Sequence, residues 1–213
     1  MKNWLSLILS LNVLALLVPM QAYASNHCEP NQVYDYKSIE CCIGEDLSVE
    51  TCTNAIDQLP YSFLDAIRSV KNGFLNNQFD NSGPNCFWAA LAFHDLQILG
   101  DFRTVYEREF VPVMREKFIE IGQENLALGD IVVLSNDHPF DPDPGMNAEL
   151  IYAEIPFHAG IYLGGGLLLQ KENYRDEVFS LNTLENSSSA YADEAADQFR
   201  LDTEIKFYQN ASD

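Results

Sequence analysis

Basic residues are scarce in this chain. Its 213 residues include 12 lysines and arginines against 32 aspartates and glutamates, which gives a formal net charge of −20. Recognition of nucleic-acid phosphates depends on clustered Lys and Arg side chains, and the sequence contains no basic run. The composition therefore argues strongly against nucleic acid as a partner. It disfavours an anionic membrane surface for the same reason.

Long apolar runs are also lacking, apart from one at the amino terminus. The apolar residues 4–18 are followed by Pro19 and by the small-residue pattern Ala22-Tyr23-Ala24. This order is typical of a secretory signal peptide, whereas a membrane anchor needs about 20 apolar residues. We expect residues 1–24 to be removed by cleavage before Ser25. The mature protein is then secreted or periplasmic and has no stable membrane anchor.

Cysteine is used sparingly, with five residues in the chain. Four lie close together, and an exported chain can join them in two disulfides: Cys28, Cys41, Cys42 and Cys52. Because a bond between the adjacent Cys41 and Cys42 is strained, each is expected to reach Cys28 or Cys52, in an order that the sequence leaves open. A zinc site is the competing interpretation, but the cluster has no C-x-x-C pair. The fifth cysteine, Cys86, is left over.

The chain divides into a polar, cysteine-rich segment and a longer region after it. Residues 25–80 are predicted to form a disulfide-stapled amino-terminal segment with short helices. Helical spacing of apolar residues predicts those helices over 54–59 and 63–71, and Asn72-Gly73 is typical of a loop. Residues 81–213 are predicted to form the main domain.

The main domain begins helical and then changes to strands. Residues 86–99 are apolar around most of a helix, which indicates a buried helix, and a Thr104-x-x-Glu107 capping box predicts a second helix over 104–121. Apolar and β-branched runs then predict strands over 129–134, 178–181 and 204–208, with a hairpin within 158–170. The polar stretches 135–156 and 185–197 are predicted to be long connections.

Cys86 stands where a thiol can be activated. Residues 81–85 form a turn that delivers it to the first turn of the buried helix. Free backbone N–H groups and the positive end of the helix dipole at that point stabilise a thiolate and can bind an oxyanion. The alternative is a buried cysteine that acts only as a small hydrophobic residue.

A reactive thiol needs a base, and the chain offers four histidines. One lies beside the cysteine cluster, one lies on the Cys86 helix about two turns away, and one lies in a proline-rich loop: His27, His94 and His138. The fourth, His158, begins a predicted strand and is the best candidate for the base.

The hairpin that begins at His158 predicts a third site residue. If Gly164-Gly165-Gly166 form a three-residue loop, Gly160 pairs with Gln170 and the two polar side chains share one face. The Gln170 carbonyl oxygen can then accept the imidazole N–H across Gly160 and fix the ring and its tautomer. A two-residue turn puts Gln170 on the opposite face instead.

These residues resemble the NlpC family of papain-like cysteine peptidases. The resemblance rests on Gly129-Asp130-Ile131-Val132, on His158-Ala159-Gly160-Ile161-Tyr162-Leu163-Gly164 and on Gln170 at the end of the next strand. It covers residues 81–171. At the nucleophile the family commonly has Asp-Cys-Ser-Gly, and this chain has Asn85-Cys86-Phe87-Trp88.

The resemblance implies a fold and a set of roles. The fold is α+β, a papain-like (NlpC-type) domain in which a central Cys-bearing helix packs on an antiparallel β-sheet. Cys86 is implied as the nucleophile, His158 as the general base and acid, and Gln170 as the orienting residue. No cofactor and no metal are expected, and we expect a monomer.

The implied function is that of an exported cysteine amidase or endopeptidase. It cleaves an amide bond through a thioester intermediate, and its implied substrate is a peptide or peptidoglycan fragment of the bacterial cell wall. One alternative is acyl transfer to an amine by the same triad, in the manner of a transglutaminase. The other is a catalytically silent, acidic, secreted binding protein that keeps the fold, with Phe87 and Trp88 filling the cleft.

Overall fold

The computed structural model describes residues 32–44, 46–79, 83–95, 101–136, 155–171, 174–175, 177–199 and 203–212. The predicted signal peptide, Cys28 and most of the predicted connection 135–156 lie outside these residues. No helix in the described ranges is both long enough and apolar enough to cross a membrane.

One eight-stranded sheet runs through the described residues. Its strands in chain order are β1 (Val33–Tyr36), β2 (Ile39–Cys42), β3 (Phe118–Ile121), β4 (Ile131–Asn136), β5 (Ile155–Tyr162), β6 (Leu167–Lys171), β7 (Phe179–Thr183) and β8 (Thr203–Asn210). Their order across the sheet is β1-β2-β7-β6-β5-β4-β8-β3. The pair β2 and β7 is parallel, and the other neighbours are antiparallel.

Helices cover both faces of the sheet. They are α1 (Val49–Asp57), α2 (Tyr61–Leu75), α3 (Cys86–Phe93), α4 (Glu107–Lys117) and α5 (Leu184–Phe199). Buried residues of the first four helices share one apolar core with the sheet, and a smaller cluster on the other face packs against Leu184 and Tyr191 of α5. The predicted α+β class and largely antiparallel sheet are confirmed.

The amino-terminal segment is more regular than its sequence predicted. It contributes β1 and β2, which were not predicted, and α1 begins at Val49 because the Ser48 hydroxyl caps it by accepting the N–H of Thr51 at 3.1 Å. The loop predicted at Asn72-Gly73 is wrong, since both residues lie within α2. Gly73 fits there because the Phe79 ring stands 2.4 Å from where its Cβ would be.

The structure selects one of the disulfide orders that the sequence left open. Cys41 is bonded to Cys52, with 6.4 Å between their Cα atoms. Cys42 is also disulfide-bonded. Cys86 is a free, buried thiol, as the odd cysteine count predicted.

Two predicted helices are shorter than expected. α3 ends at Phe93, with His94 and Asp95 in a turn, and residues 96–100 lie outside the described ranges. α4 begins at Glu107 rather than Thr104, because the Glu109 carboxylate accepts the N–H of Tyr106 at 3.1 Å. Its last predicted turn, residues 118–121, is strand β3 instead.

The polar connection predicted over 185–197 is also wrong, because these residues lie in α5. The side chains that face the sheet follow helical spacing: Leu184, Ser187, Ser188 and Tyr191. Two of these four are serines, so the buried face lacks the apolar pattern by which an amphipathic helix is usually detected.

Candidate active site

Asn85 fixes the turn that leads into α3. Its Oδ1 accepts the N–H of Trp88 at 3.2 Å, which caps the helix, and also the N–H of Val105 at 3.1 Å. Its Nδ2 donates to the Val105 carbonyl at 2.8 Å. Both ends of the amide are therefore used, and Cys86 is held as the first residue of the helix.

The Cys86 sulfur lies against β5 at the residue after His158. Burial raises the pKa of the Cys86 thiol to about 11, while the backbone N–H groups of Ala159 and Phe87, and the charge of Lys171, lower it. These two N–H groups and the lysine favour negative charge on the sulfur, in opposition to burial. At neutral pH the thiol is protonated.

The hairpin that carries the candidate base has the predicted register. Gly160 pairs with Gln170, and the Leu163 N–H donates to the Leu167 carbonyl at 2.9 Å. Gly164, Gly165 and Gly166 close the loop with φ of 84°, 59° and 78°, a backbone region that L side chains rarely adopt. Three consecutive glycines thus fix the loop length. The loop length determines which side chains of β5 and β6 lie on the same face of the sheet.

The structure joins His158 to Gln170. The imidazole Nε2 lies 3.0 Å from the amide Oε1, and each residue is 1 % exposed. Because a carbonyl oxygen only accepts, Nε2 donates and Nδ1 keeps the lone pair that a general base needs. Burial lowers the pKa of His158 to about 4, and the bond to Gln170 raises it.

Tyr191 of α5 covers this pair. Its ring stacks on the His158 imidazole, with centroids 4.0 Å apart and planes at 22°. Sequence reasoning missed this contact because the residues around Tyr191 were predicted to be a loop. The signal that could have found it is the helical spacing of Leu184, Ser187, Ser188 and Tyr191.

The structure brings His158 and Gln170 together, but it does not bring Cys86 to them. Cys86 shares the apolar core with Ala159, whereas His158 stacks on Tyr191 at the other face of the sheet. Within the described part of the chain, no hydrogen bond joins the thiol to the imidazole. Because the sheet lies between the two groups, proton transfer between them requires β5 to rearrange so that His158 faces α3.

Phe87 and Trp88 are core residues. Phe87 stacks on Phe110 of α4 at 4.4 Å, and Trp88 packs near Phe102 at 5.7 Å. The Trp88 Nε1 donates to the carbonyl of Asp101 at 3.2 Å. These contacts direct both rings toward α4 and the segment before it.

A groove of about 490 Å³ borders the same part of the sheet. Phe110 and Met114 of α4, Val133 and Ser135 of β4, and Pro156 of β5 are among its lining residues. Val133 pairs with Ala159, whose N–H faces the Cys86 sulfur. The groove thus lies on the α4 side of the sheet, and Cys86 is not among its lining residues.

Neither a metal site nor a known relative adds to this description. The described residues contain no group of three or more His, Cys, Asp and Glu side chains that could hold a metal ion. No protein-family model matches the chain, and neither a curated protein nor a solved structure matches it.

Proposed function

We propose that the protein is an exported cysteine amidase or endopeptidase with Cys86 as its nucleophile. The observation that carries the proposal is the buried hydrogen bond between His158 and Gln170, one residue from the strand position that faces the Cys86 sulfur. A thiol at a helix start, an imidazole and an amide that fixes the imidazole tautomer are the groups that thiol hydrolysis needs. The resemblance to the NlpC family supplies the substrate class, which is a peptide of the bacterial cell wall.

The proposed reaction has two halves. Once β5 has rearranged to turn His158 toward α3, His158 takes the Cys86 proton as the sulfur bonds to the carbonyl carbon, and it returns that proton to the nitrogen as the C–N bond breaks. Water then attacks the thioester and gives a proton to His158, which returns it to the departing sulfur. The N–H groups of Phe87 and Ala159 favour the negative charge that develops on the sulfur as its proton leaves.

The resting protonation states favour general-base attack over a preformed ion pair. With the pKa of Cys86 at about 11 and that of His158 at about 4, both groups are uncharged at neutral pH. The proton therefore leaves the sulfur as the new bond forms. A neutral His158 with its lone pair on Nδ1 is the form that can accept it.

The experiment is the rate of Cys86 alkylation by iodoacetamide between pH 5 and pH 8. An unassisted thiol with its pKa above this range reacts about tenfold faster for each pH unit. If His158 acts as the base, the wild-type protein gains a component of the rate that does not change with pH. That component should vanish in His158→Ala, since the base is gone, and remain in His94→Gln, which alters a histidine in the turn that ends α3.

A catalytically silent binding protein is the second candidate. The observation in its favour is the burial of Cys86, which is 6 % exposed, together with the lack of a thiol–imidazole hydrogen bond among the described residues. A silent binding protein predicts that the alkylation rate rises tenfold per pH unit both in the wild-type protein and in His158→Ala. That result would refute the hydrolase.

A positive alkylation result leads to a substrate test. Peptidoglycan fragments are incubated with the protein, and an acyl adduct on Cys86 is sought by mass spectrometry after an acid quench. Hydrolysis and acyl transfer share every step up to this thioester. Added amines separate the two, because only an acyltransferase passes most of the acyl group to them.

A further inference from the structure

A lysine is buried beside the candidate nucleophile. Lys171, the last residue of β6, follows Gln170 directly and is 0 % exposed. Because side chains alternate along a strand, it lies on the face opposite to Gln170, which is the face on which α3 packs. Lysine is almost never fully buried without groups that favour its charge, so its surroundings call for explanation.

Two aromatic rings accommodate the ammonium. Nζ lies 5.2 Å from the centroid of Phe74 and 5.8 Å from that of Phe179, at distances where ring faces attract a cation. α2 and β7, the elements that carry these rings, place them on either side of the end of β6. The charged form of the side chain is thereby favoured within the core.

The same group of residues touches the turn that positions Cys86. The Phe74 ring stands 2.3 Å from where a Cβ of Gly83 would be, so Gly83 lies directly on this ring. The Gly83 N–H donates at 2.8 Å to the carbonyl of Tyr174, just after β6. The ammonium and the start of the Cys86 helix are therefore held against the same ring.

Lys171 supplies a positive charge that acts on the Cys86 sulfur. On the face of the sheet that packs against Cys86, Lys171 of β6 lies near Phe74 of α2 and Phe179 of β7, whereas His158 of β5 lies on the other face. His158 is neutral at physiological pH because burial lowers its pKa to about 4. The charge of Lys171 lowers the pKa of Cys86, in opposition to the effect of burial.

We propose that Lys171 is a positioning residue whose buried ammonium stabilises the negative charge that develops on the Cys86 sulfur during attack. The inference rests on the proposed role of Cys86 as nucleophile. Lys171 takes no part in the proton transfer, which still runs from Cys86 to His158. Its contribution is a charge at a fixed place and requires no further reactant.

The test compares iodoacetamide alkylation of Cys86 in Lys171→Met, Lys171→Arg and Lys117→Met. Lys171→Met should react at least about tenfold more slowly at pH 7, and its alkaline limb should move up by at least about one pH unit. Lys171→Arg keeps the charge and should stay within about threefold of wild type. Lys117→Met removes an exposed charge on α4 and should change nothing.

The outcomes separate this inference from the proposed function. Lys171→Met reacting at the wild-type rate, or Lys171→Arg reacting as slowly as Lys171→Met, would overturn the role of Lys171. A slow Lys171→Met with an unaffected His158→Ala would support Lys171 and refute the His158-based hydrolase. Circular dichroism checks folding. If Lys171→Met does not fold, Lys171→Gln is used, with the same expected slowing and the same refuting result.

Discussion

At the scale of single residues, the site depends on how burial acts on two titratable side chains. Burial disfavours any charged form, so it raises the pKa of the Cys86 thiol and lowers that of the His158 imidazole. Both shifts oppose a resting thiolate–imidazolium pair. The groups that counter them, the Ala159 N–H, the Gln170 amide and Lys171, are each placed by the backbone of β5 or β6.

The depressed pKa of His158 predicts a loss of stability in acid. In the unfolded chain His158 binds a proton near pH 6.5, whereas in the folded chain it does so only near pH 4. The contribution of neutral His158 to stability is therefore complete above pH 6.5, and it is lost as the pH falls through this window. Between pH 7 and pH 5 the free energy of unfolding should drop by about 2 kcal/mol more in the wild-type protein than in His158→Gln.

Urea unfolding at several pH values measures this difference. His94→Gln serves as the control and should retain the wild-type loss, because its substitution leaves His158 in place. An equal acid loss in the wild-type protein and His158→Gln would show that the folded protein does not hold His158 neutral.

The His158–Gln170 contact was predictable because each step follows from local rules. Three consecutive glycines favour a loop with positive φ, and the period of two along each strand then places both polar side chains on one face. The contact of Tyr191 and the charge of Lys171 at Cys86 were not predictable. They depend on how α5 and α2 pack in three dimensions, which no local pattern encodes.

At the scale of elements, the β5–β6 hairpin is held by a close fit at Gly160. A Cβ on Gly160 would stand 2.8 Å from Leu168, which is 0 % exposed and lies on the opposite strand. Gly160→Ala should therefore destabilise the protein by about 1–3 kcal/mol through overpacking. Urea unfolding tests this, with Gly44→Ala as control, since nothing lies within 4 Å of a Cβ there.

A double variant tests the cause of that cost. In a Leu168→Ala background the space for the new methyl group is already open, so Gly160→Ala should cost less than in the wild-type protein. A cost that is unchanged in this background would exclude the contact with Leu168 as its origin and point to backbone effects at Gly160.

Element boundaries were less predictable than element types. The predicted capping box at Thr104 does not begin the helix. The Glu109 carboxylate instead accepts the N–H of Tyr106, and α4 begins at Glu107. The end of α4 differs because β3 pairs with β8, a contact far away along the chain. Residues 118–121 are apolar apart from Glu120 and are too few to show a helical or a strand period, so tertiary pairing decides between the two structures.

At the scale of the whole molecule, the amino-terminal segment and the main domain form one packing unit. β2 lies between β1 and β7, and its Ile39 shares the apolar core with Cys52 of α1 and Cys86 of α3. The sequence predicted a disulfide-bonded segment ahead of the domain. The polar residues of β1 and β2 do not show the pattern by which strands are usually detected. The pairing of β2 with β7 could not be read from the sequence.

This arrangement predicts that the Cys41–Cys52 disulfide stabilises the whole protein and not the segment alone. The bond closes a short loop, 11 residues apart in sequence, so the double variant Cys41→Ala/Cys52→Ala should lose about 2–4 kcal/mol in free energy of unfolding. Because β2 and β7 share a core, the loss should appear in a single transition. Amide hydrogen exchange should then accelerate in β6 as well as in β2. Faster exchange confined to β1, β2 and α1, or a separate early transition in urea, would show that the segment unfolds on its own. In that case the core around Ile39 would not couple the disulfide to the strands that carry His158 and Gln170.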